Sequence, residues 1–499
     1  MFGSTSVKLA EVMEGVPVVS AIPDSVAAAE VSGLAYDSRK AAPGFLFFAF
    51  PGSKTDGRRF AAQAVEKGAV AVISEAPAPA DFSGHWIRAA HGRHALATAS
   101  GNFYNHPDRR LKIIGVTGTN GKTTTTYLID SILRAAGLTT ALVGTIEYRL
   151  AGRQLPSINT TPESLDLFEM FSQLERLGGT HVTMETSSHA LSLGRVYGVQ
   201  FETAVFTNLT RDHLDFHGSM DSYLAAKRLL FTSEASTGPR FAVINHDDTY
   251  AFALRTKPQT EVITYGLGEG ASARAQGVTT GFDGLSFEIH HDGRTHQVES
   301  PLVGQINVYN LLAAWCAAYS VGIGPEVIAR GIADCKAVPG RFERVDVGQP
   351  FMVVVDYAHT DDALRNLISI ARGLTDKRVI TLFGCGGDRD RAKRPLMGMA
   401  AAELSDMVIL TSDNPRSEDP IGIMNDAMVG IRRFDTPLVI EPDREKAIRA
   451  AINKAGPGDI VLLAGKGHET YQVLKDKTID FDDREVARRI LRGFGYGKD

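Results

Sequence analysis

The chain has 499 residues, enough for about three domains of ordinary size, each with its own buried core. Its 53 Lys and Arg against 58 Asp and Glu give a net charge of −5 with both signs interspersed, so no nucleic-acid-binding or anionic-membrane-binding surface is expected. Hydrophobic residues make up 43%, and no apolar run approaches the roughly 20 residues that span a bilayer, which excludes a helical membrane protein.

The opening MFGSTSVKLAEVMEGVPVV lacks the charged start and continuous apolar stretch of a secretory signal, so a cytoplasmic location is expected. Cys316, Cys335 and Cys385 are far apart and in no metal-type pairing, which predicts buried free thiols without disulfides.

Residues 1–107 combine strand-like runs, GFLFFAF (44–50) and AVAVISE (69–75), with an Ala-rich helical segment near 60–68, and read as a small α/β domain. After the polar break NHPDRR, LKIIGVTG is a short apolar run ending in Gly, the mark of a buried parallel strand, and opens a second domain over 108–337. Further strands are predicted at HVTME (181–185) and AVFTNL (204–209), each followed by a helical pattern, so the sheet is mostly parallel. The region 262–298 alternates with period two and is expected to be an antiparallel appendage, followed by a helix over about 307–321. In 338–499, FMVVVDYAH, RVITLFGCGGDRD, DMVILTSDNPR and DIVLLAGKGHE are aliphatic runs that stop in Gly and charged residues, a Rossmann-like doubly wound domain. Ligands of such sheets bind beyond the carboxyl ends of the strands, where these polar clusters fall.

The strongest chemical signal is GVTGTNGKTTTTYLID (115–130), a glycine-rich turn between strand and helix. Glycines let N–H groups curl around phosphate oxygens, Lys122 supplies a point charge, Thr123 can ligate Mg²⁺, and the helix N-terminus adds its dipole. Val116 stands where the usual longer motif has Gly, leaving Gly118, Gly121 and Lys122 as a shorter G-x-x-G-K-T. Glu185 at one strand end and His213, Asp215 and His217 after the next suit a divalent cation near triphosphate, with His217 the weakest of the set. Asn310, Arg341, Asp356 and His359 sit near domain junctions and can close on the nucleotide, Asp356 accepting from the ribose and His359 stacking on the base. At neighbouring strand ends, Arg389, Asp413, Asn414, Arg416 and Glu469 combine guanidinium forks with carboxylates, which suits an amino-acid ligand.

In this order the motifs resemble the ATP-dependent Mur ligases of peptidoglycan synthesis over essentially the whole chain. YDSRKAAPGFLFFAFPG and DGRRF resemble the family's uridine-binding domain, while GTNGKTTT, NTTPE, ETSSHAL, TNLTRDHLDFHG, VYNLLAA, PGRFE and VDYAHT resemble its central and ATP-closing elements. The resemblance implies a monomeric ATP-dependent amide ligase that works through an acyl phosphate with Mg²⁺ as cofactor and UDP-N-acetylmuramoyl-L-alanyl-D-glutamate as acceptor. It implies an ATP site of Gly118, Thr119, Asn120, Gly121, Lys122, Thr123 and Thr124 with Asn310, Arg341, Asp356 and His359. Tyr36, Ser38, Ser53, Lys54 and Thr55 would contact the uridine diphosphate part, and Asn159, Thr160, Thr161, Ser187 and Arg195 the sugar-dipeptide. Lys227 matches a lysine that becomes carbamylated and, with Thr123, Glu185 and His213, would hold metal; Lys122, Glu185, His213 and Lys227 form the implied catalytic set.

DNPR, Asp413 to Arg416, resembles the signature of relatives that add meso-diaminopimelate, implying an amino-acid site of Arg389, Asp413, Asn414, Pro415, Arg416, Gly465 and Glu469. The physical reading agrees, because diaminopimelate carries an extra carboxylate that Arg416 can pair, whereas L-lysine would leave the guanidinium unpaired. L-Lysine as the amine, a folylpolyglutamate-synthetase-like ligase, and a nucleotide-dependent sensor that makes no bond are the alternatives. The DSRKAAPGFLFFA region argues against the folate-type enzyme.

Overall fold

A computed structural model describes residues 6–19, 21–52, 55–232 and 235–497. Three sheets, in chain order, make three α/β domains. The first is a four-stranded parallel sheet of Gly33–Ala35, Phe45–Phe48, Ala71–Ser74 and Trp86–Arg88, paired in sequence order. Alternation along FLFF sends Leu46 and Phe48 to one core and Phe47 to the other, so helices cover both faces.

The central sheet has eleven strands with Lys112–Thr117 in its middle, flanked in parallel by His181–Glu185 and Thr203–Phe206. Register sets Glu185 opposite Val116 and Phe206 opposite Thr117, so the glycine-rich turn, Glu185 and the TNLTRDH loop leave the sheet at one edge. Ile114 and Val116 pack under the helices Lys122–Ala135 and Gln305–Ser320, while Ile113 faces the core beneath Ser164–Arg176.

The antiparallel appendage is shorter than the alternation in 262–298 suggests. Glu261–Gly266 runs parallel to Phe241–Asn245 and extends the main sheet, and antiparallel pairing begins only with Ala273–Gly281, Gly284–His291 and Arg294–Ser300. Ile263 and Tyr265 are buried in the helix-covered core while Glu261 and Val262 are exposed, so a half-covered parallel strand shows the same period of two.

The C-terminal sheet has six strands in the spatial order Glu343–Val345, Met352–Asp356, Ile460–Ala464, Val379–Phe383, Met407–Leu410 and Leu438–Ile440. All pairings are parallel except that of the first strand. Helices lie on both faces, as a doubly wound sheet requires. A small hairpin, Tyr471–Val473 with Thr478–Asp480, folds over the mouth of this sheet and carries no clear signal in the sequence. The three cysteines are buried and free, and among the described residues no helix is long and apolar enough to cross a membrane.

Candidate active site

The turn after Lys112–Thr117 is shaped by two glycines that no other residue could replace without movement. A Cβ on Gly118 (φ +150°) would stand 1.9 Å from Thr207 Oγ1, and one on Gly121 (φ +86°) 2.3 Å from Asn310 Oδ1. Gly121 caps the helix Lys122–Ala135, leaving the first N–H groups of that helix to face the loop. Thr119 and Asn120 are held from the neighbouring loop, Thr119 N donating to Asn208 O (2.8 Å) and Asn120 N to Asn208 Oδ1 (2.9 Å).

Lys122 Nζ folds back onto the carbonyls of Gly118 (2.9 Å) and Thr119 (2.8 Å). Burial pushes its pKa down, opposed by the nearby Glu185 and Asp212. Thr123 Oγ1 donates to Glu185 Oε1 (3.0 Å) and accepts from Arg341 Nη2 (3.1 Å), so a C-terminal-domain guanidinium reaches the head of the loop helix. Glu185, 1% exposed, also accepts from Thr145 N (2.8 Å) and Thr145 Oγ1 (3.0 Å). Thr145 Oγ1 lies 3.1 Å from Thr160 Oγ1, which continues the network toward the expected sugar-dipeptide residues. Thr161 Oγ1 donates to Glu185 O (2.8 Å) and accepts from Ser187 N (3.1 Å), and Arg195 donates to Thr161 O (3.0 Å) and Glu163 Oε1 (3.1 Å). Asn159 O accepts from Tyr148 Oη (2.5 Å).

Lys227, on the helix Met220–Thr232, is 1% exposed and donates to Gly118 O (2.8 Å), with its ammonium 4.4 Å from the Tyr223 ring centre. Burial and the positive Lys122 push its pKa well down, toward a neutral amine. His213 (φ +54°) packs against the same tyrosine, ring centres 6.1 Å apart; desolvation pushes its imidazole pKa down, opposed by the Asp212 carboxylate 3.3 Å from Nε2.

Among the described residues no three His, Cys, Asp or Glu side chains form a ready-made metal group. The Thr123 hydroxyl and Glu185 carboxylate nevertheless form a buried pair of hard oxygens beside the phosphate loop. That donor set fits Mg²⁺, which takes one or two protein oxygens and completes its shell with phosphates and water. Unmodified Lys227, whose Nζ donates to Gly118 O, offers a cation no carboxylate oxygen.

Two cavities lie along this edge. One, about 100 Å³, is lined by Asn120, Gly121, Thr124, Asn310, Arg341 and Asp356 with apolar walls from Leu302, Ile306, Phe342 and Leu367. Asp356 borders it, but its carboxylate already accepts from Phe342 N (2.7 Å) and Ala358 N (2.8 Å). His359, expected to stack on a base, does not line this cavity. Its Nδ1 is 2.8 Å from Tyr357 O, which turns the ring into the second cavity instead.

That second cavity, about 210 Å³, joins Asp212, His213 and Asp215 of the central domain to Arg389, Asp413, Asn414, Arg416, Gly465 and Glu469 of the C-terminal domain. Arg416 (φ +54°) donates to Gly387 O (2.8 Å), and Asn414 Nδ2 to Glu469 Oε2 (2.9 Å). Pro415 does not line the cavity, and its carbonyl presses on Gly387, where a Cβ would come within 1.9 Å. Burial and the adjacent Asp413 raise the Glu469 carboxyl pKa.

Sequence reasoning missed Lys466, fully buried, whose Nζ donates to Glu469 Oε2 (3.1 Å) and lies 3.8 Å from Asp413 Oδ1. A lysine between two glycines at a strand end in GKGHE was the available signal. Thr145 and Lys393, the latter also lining the second cavity, were missed too and carry no motif.

In the N-terminal domain Tyr36 Oη donates to Asp166 Oδ2 (2.5 Å) of the central domain, and Ser38 Oγ to Gln63 Oε1 (2.8 Å). Thr55 O accepts from Gly52 N (2.9 Å) in the loop beside them, while Ser53 and Lys54 lie outside the described residues.

Comparison with known proteins is consistent along the chain. The descriptions "Mur ligase family, catalytic domain", "Mur ligase middle domain" and "Mur ligase, glutamate ligase domain" match residues 30–109, 116–318 and 340–467. The UDP-N-acetylmuramoyl-L-alanyl-D-glutamate--2,6-diaminopimelate ligase of Solibacter usitatus is 65% identical over 98% of this chain and 99% of that protein. The enzyme of the same name from Geobacillus thermodenitrificans is 47% identical over 93% and 95%. A solved structure of a ligase with that name superposes with a TM-score of 0.69 at 33% identity, covering 99% of this chain and all of the other.

Proposed function

The chain belongs to the Mur ligase family of ATP-dependent peptide-forming ligases, and we propose that it joins meso-diaminopimelate to the D-glutamate of UDP-N-acetylmuramoyl-L-alanyl-D-glutamate, acting as a cytoplasmic monomer. The observation that supports this reading most is the second cavity, in which the cations Arg389, Lys393 and Arg416 stand among the carboxylates of Asp212, Asp215, Asp390, Asp413 and Glu469 beside His213 at the phosphate-loop edge. Such a pocket matches a ligand with two carboxylates and two ammonium groups, and its position lets the amine meet a carboxylate activated at the loop.

A carboxylate is a poor electrophile, so the γ-phosphoryl group of ATP must first be transferred to it. Lys122 would leave the Gly118 and Thr119 carbonyls to bind the β- and γ-phosphates, while the first N–H groups of its helix hold the remaining oxygens. Gly118, Thr119, Asn120, Gly121 and Thr124 would shape the phosphate cradle, and Asn310, Arg341 and Asp356 the nucleoside side. Thr123 and Glu185 would hold Mg²⁺, which supplies charge neutralisation at the transferring phosphoryl group. Lys227, whose burial favours the neutral amine that CO₂ can carbamylate, would with His213 orient the acceptor carboxylate. Asp413, Asn414, Glu469 and Gly465 would bind one amino-acid end of diaminopimelate, and Arg389 and Arg416 its far carboxylate. The free amine attacks the acyl carbon, the C–N bond forms, the C–O bond to phosphate breaks, and the ammonium proton is lost to solvent. Tyr36, Ser38 and Thr55 would contact the uridine diphosphate part, and Asn159, Thr160, Thr161, Ser187 and Arg195 the sugar-dipeptide.

The test is phosphate release from ATP and Mg²⁺ with the UDP-dipeptide, omitting each substrate in turn, with the product mass determined. Turnover only when all are present supports the reading; ATP hydrolysis that never yields the tripeptide product overturns it.

A further inference from the structure

Arg394 lies behind the amino-acid cavity and touches none of the space inside it, yet it ties together the two loops that carry Arg389 and Arg416. It is fully buried on the helix Lys393–Leu404. Its guanidinium makes a fork with Glu418, Nη2 donating to Oε1 (2.7 Å) and Nη1 to Oε2 (2.9 Å). It also reaches Asp426 Oδ2 (2.9 Å) and Gly386 O (3.3 Å). Glu418 Oε1 in turn accepts from Asp388 N (2.6 Å), so one carboxylate ends the DNPRSE loop and holds the backbone of the GCGGDRD loop. The bond from Arg394 keeps the Glu418 pKa down at about 2, so the carboxylate is ionised throughout the working range.

The base beneath this junction is rigid. The helices Lys393–Leu404 and Pro420–Ile431, which follow the two loops, touch backbone to backbone: a Cβ on Gly398 would stand 2.1 Å from Ala427 O, and one on Gly430 1.8 Å from Pro395 O. Above the helices the two loops also meet directly, Gly387 N donating to Asn414 O (2.9 Å) and Ser417 Oγ to Asp388 Oδ1 (2.7 Å), and Arg394 with Glu418 braces this junction from the helix side.

We infer that Arg394, through Glu418, is a positioning residue that sets the separation of the Arg389 and Arg416 guanidinium groups and so the preference for an amine with a second carboxylate. This inference rests on the diaminopimelate reading above. A fork of two N–H donors on a carboxylate fixes direction as well as distance, whereas a lysine would fix only one contact.

The test compares wild type with Glu418→Gln and Arg394→Lys, measuring KM for meso-diaminopimelate, ATP and the UDP-dipeptide, the diaminopimelate-to-lysine ratio of kcat/KM, and the melting temperature. The Glu418 side chain is partly exposed whereas Arg394 is buried, so Glu418→Gln is the variant that keeps the fold if Arg394→Lys does not. The expected result is a rise of about tenfold or more in KM for diaminopimelate, a smaller selectivity ratio, and KM for the other two substrates within twofold. An unchanged diaminopimelate KM in folded Glu418→Gln, or a uniform rise for all three substrates, overturns the inference. Wild type that makes no product with diaminopimelate would instead overturn the reading on which it rests.

Discussion

Glu185→Gln separates the catalytic part of this account from its structural part. The carboxylate accepts three bonds, from Thr123 Oγ1 and Thr145 N on Oε1 and from Thr145 Oγ1 on Oε2. An amide with its oxygen at the Oε1 position keeps the first two. Its nitrogen then faces Thr145 Oγ1, which can reverse to accept, because Thr160 Oγ1, 3.1 Å away, can take its proton. The loss is the charge-assisted part of these three bonds, about 1–2 kcal/mol in total. For a domain of roughly 200 residues this lowers the melting temperature by about 2–8 °C. The negative charge that would help hold Mg²⁺ is gone, however, and losing one preorganised electrostatic group of this kind slows turnover by about 100- to 1,000-fold. Scanning fluorimetry and phosphate release at saturating Mg²⁺ measure the two quantities. A kcat within threefold of wild type refutes the role given to Glu185, and a collapse of the fold refutes the hydrogen-bond accounting.

Three further outcomes are expected. Arg416→Met should lower kcat/KM for meso-diaminopimelate by about 30- to 150-fold, equivalent to roughly 2–3 kcal/mol, and leave that for L-lysine unchanged or improved, as steady-state kinetics would reveal. Gly118→Ala drives a Cβ into Thr207 Oγ1, so nucleotide titration should show at least about a tenfold loss of ATP affinity, while Gly373→Ala, with open space around it and no positive φ, should bind normally. Burial depresses His181 and His359 to about 4, below the unfolded value of 6.5. The unfolded chain therefore binds more protons between those values, and stability, full above about pH 6.5, falls as pH drops toward 4. A melting temperature that is flat across that window, or a slope that His181→Gln fails to reduce, would contradict this.

Much of the site was legible because its residues sit at strand ends that hydrophobic runs announce. LKIIGVTG followed by GTNGKTT fixes strand, turn and helix within a few residues, and the register of three parallel strands then brings Glu185 to the same edge. Contacts between distant segments were not legible. Tyr36 meets Asp166 across 130 residues, and Arg394 meets Glu418 across two helices whose glycine contact is invisible before the fold is known. Period-two alternation misplaced Glu261–Gly266 because a half-covered parallel strand alternates as an antiparallel one does. His359, expected beside a base, lines the second cavity instead of the first, because a motif gives a residue's neighbourhood but not the direction its ring takes once Nδ1 is bound to Tyr357 O. Lys466 escaped notice because a lysine is normally solvated, and only two adjacent carboxylates make its full burial tolerable.

The identity of the amine is the central claim, and a competition reaction tests it most directly. The purified chain would be given ATP, Mg²⁺, the UDP-dipeptide and equimolar meso-diaminopimelate and L-lysine, and the products resolved by mass. The account predicts the diaminopimelate tripeptide in at least about thirtyfold excess, since an unpaired Arg416 penalises lysine by roughly 2 kcal/mol or more. Equal amounts of the two products, or an excess of the lysine one, would contradict it.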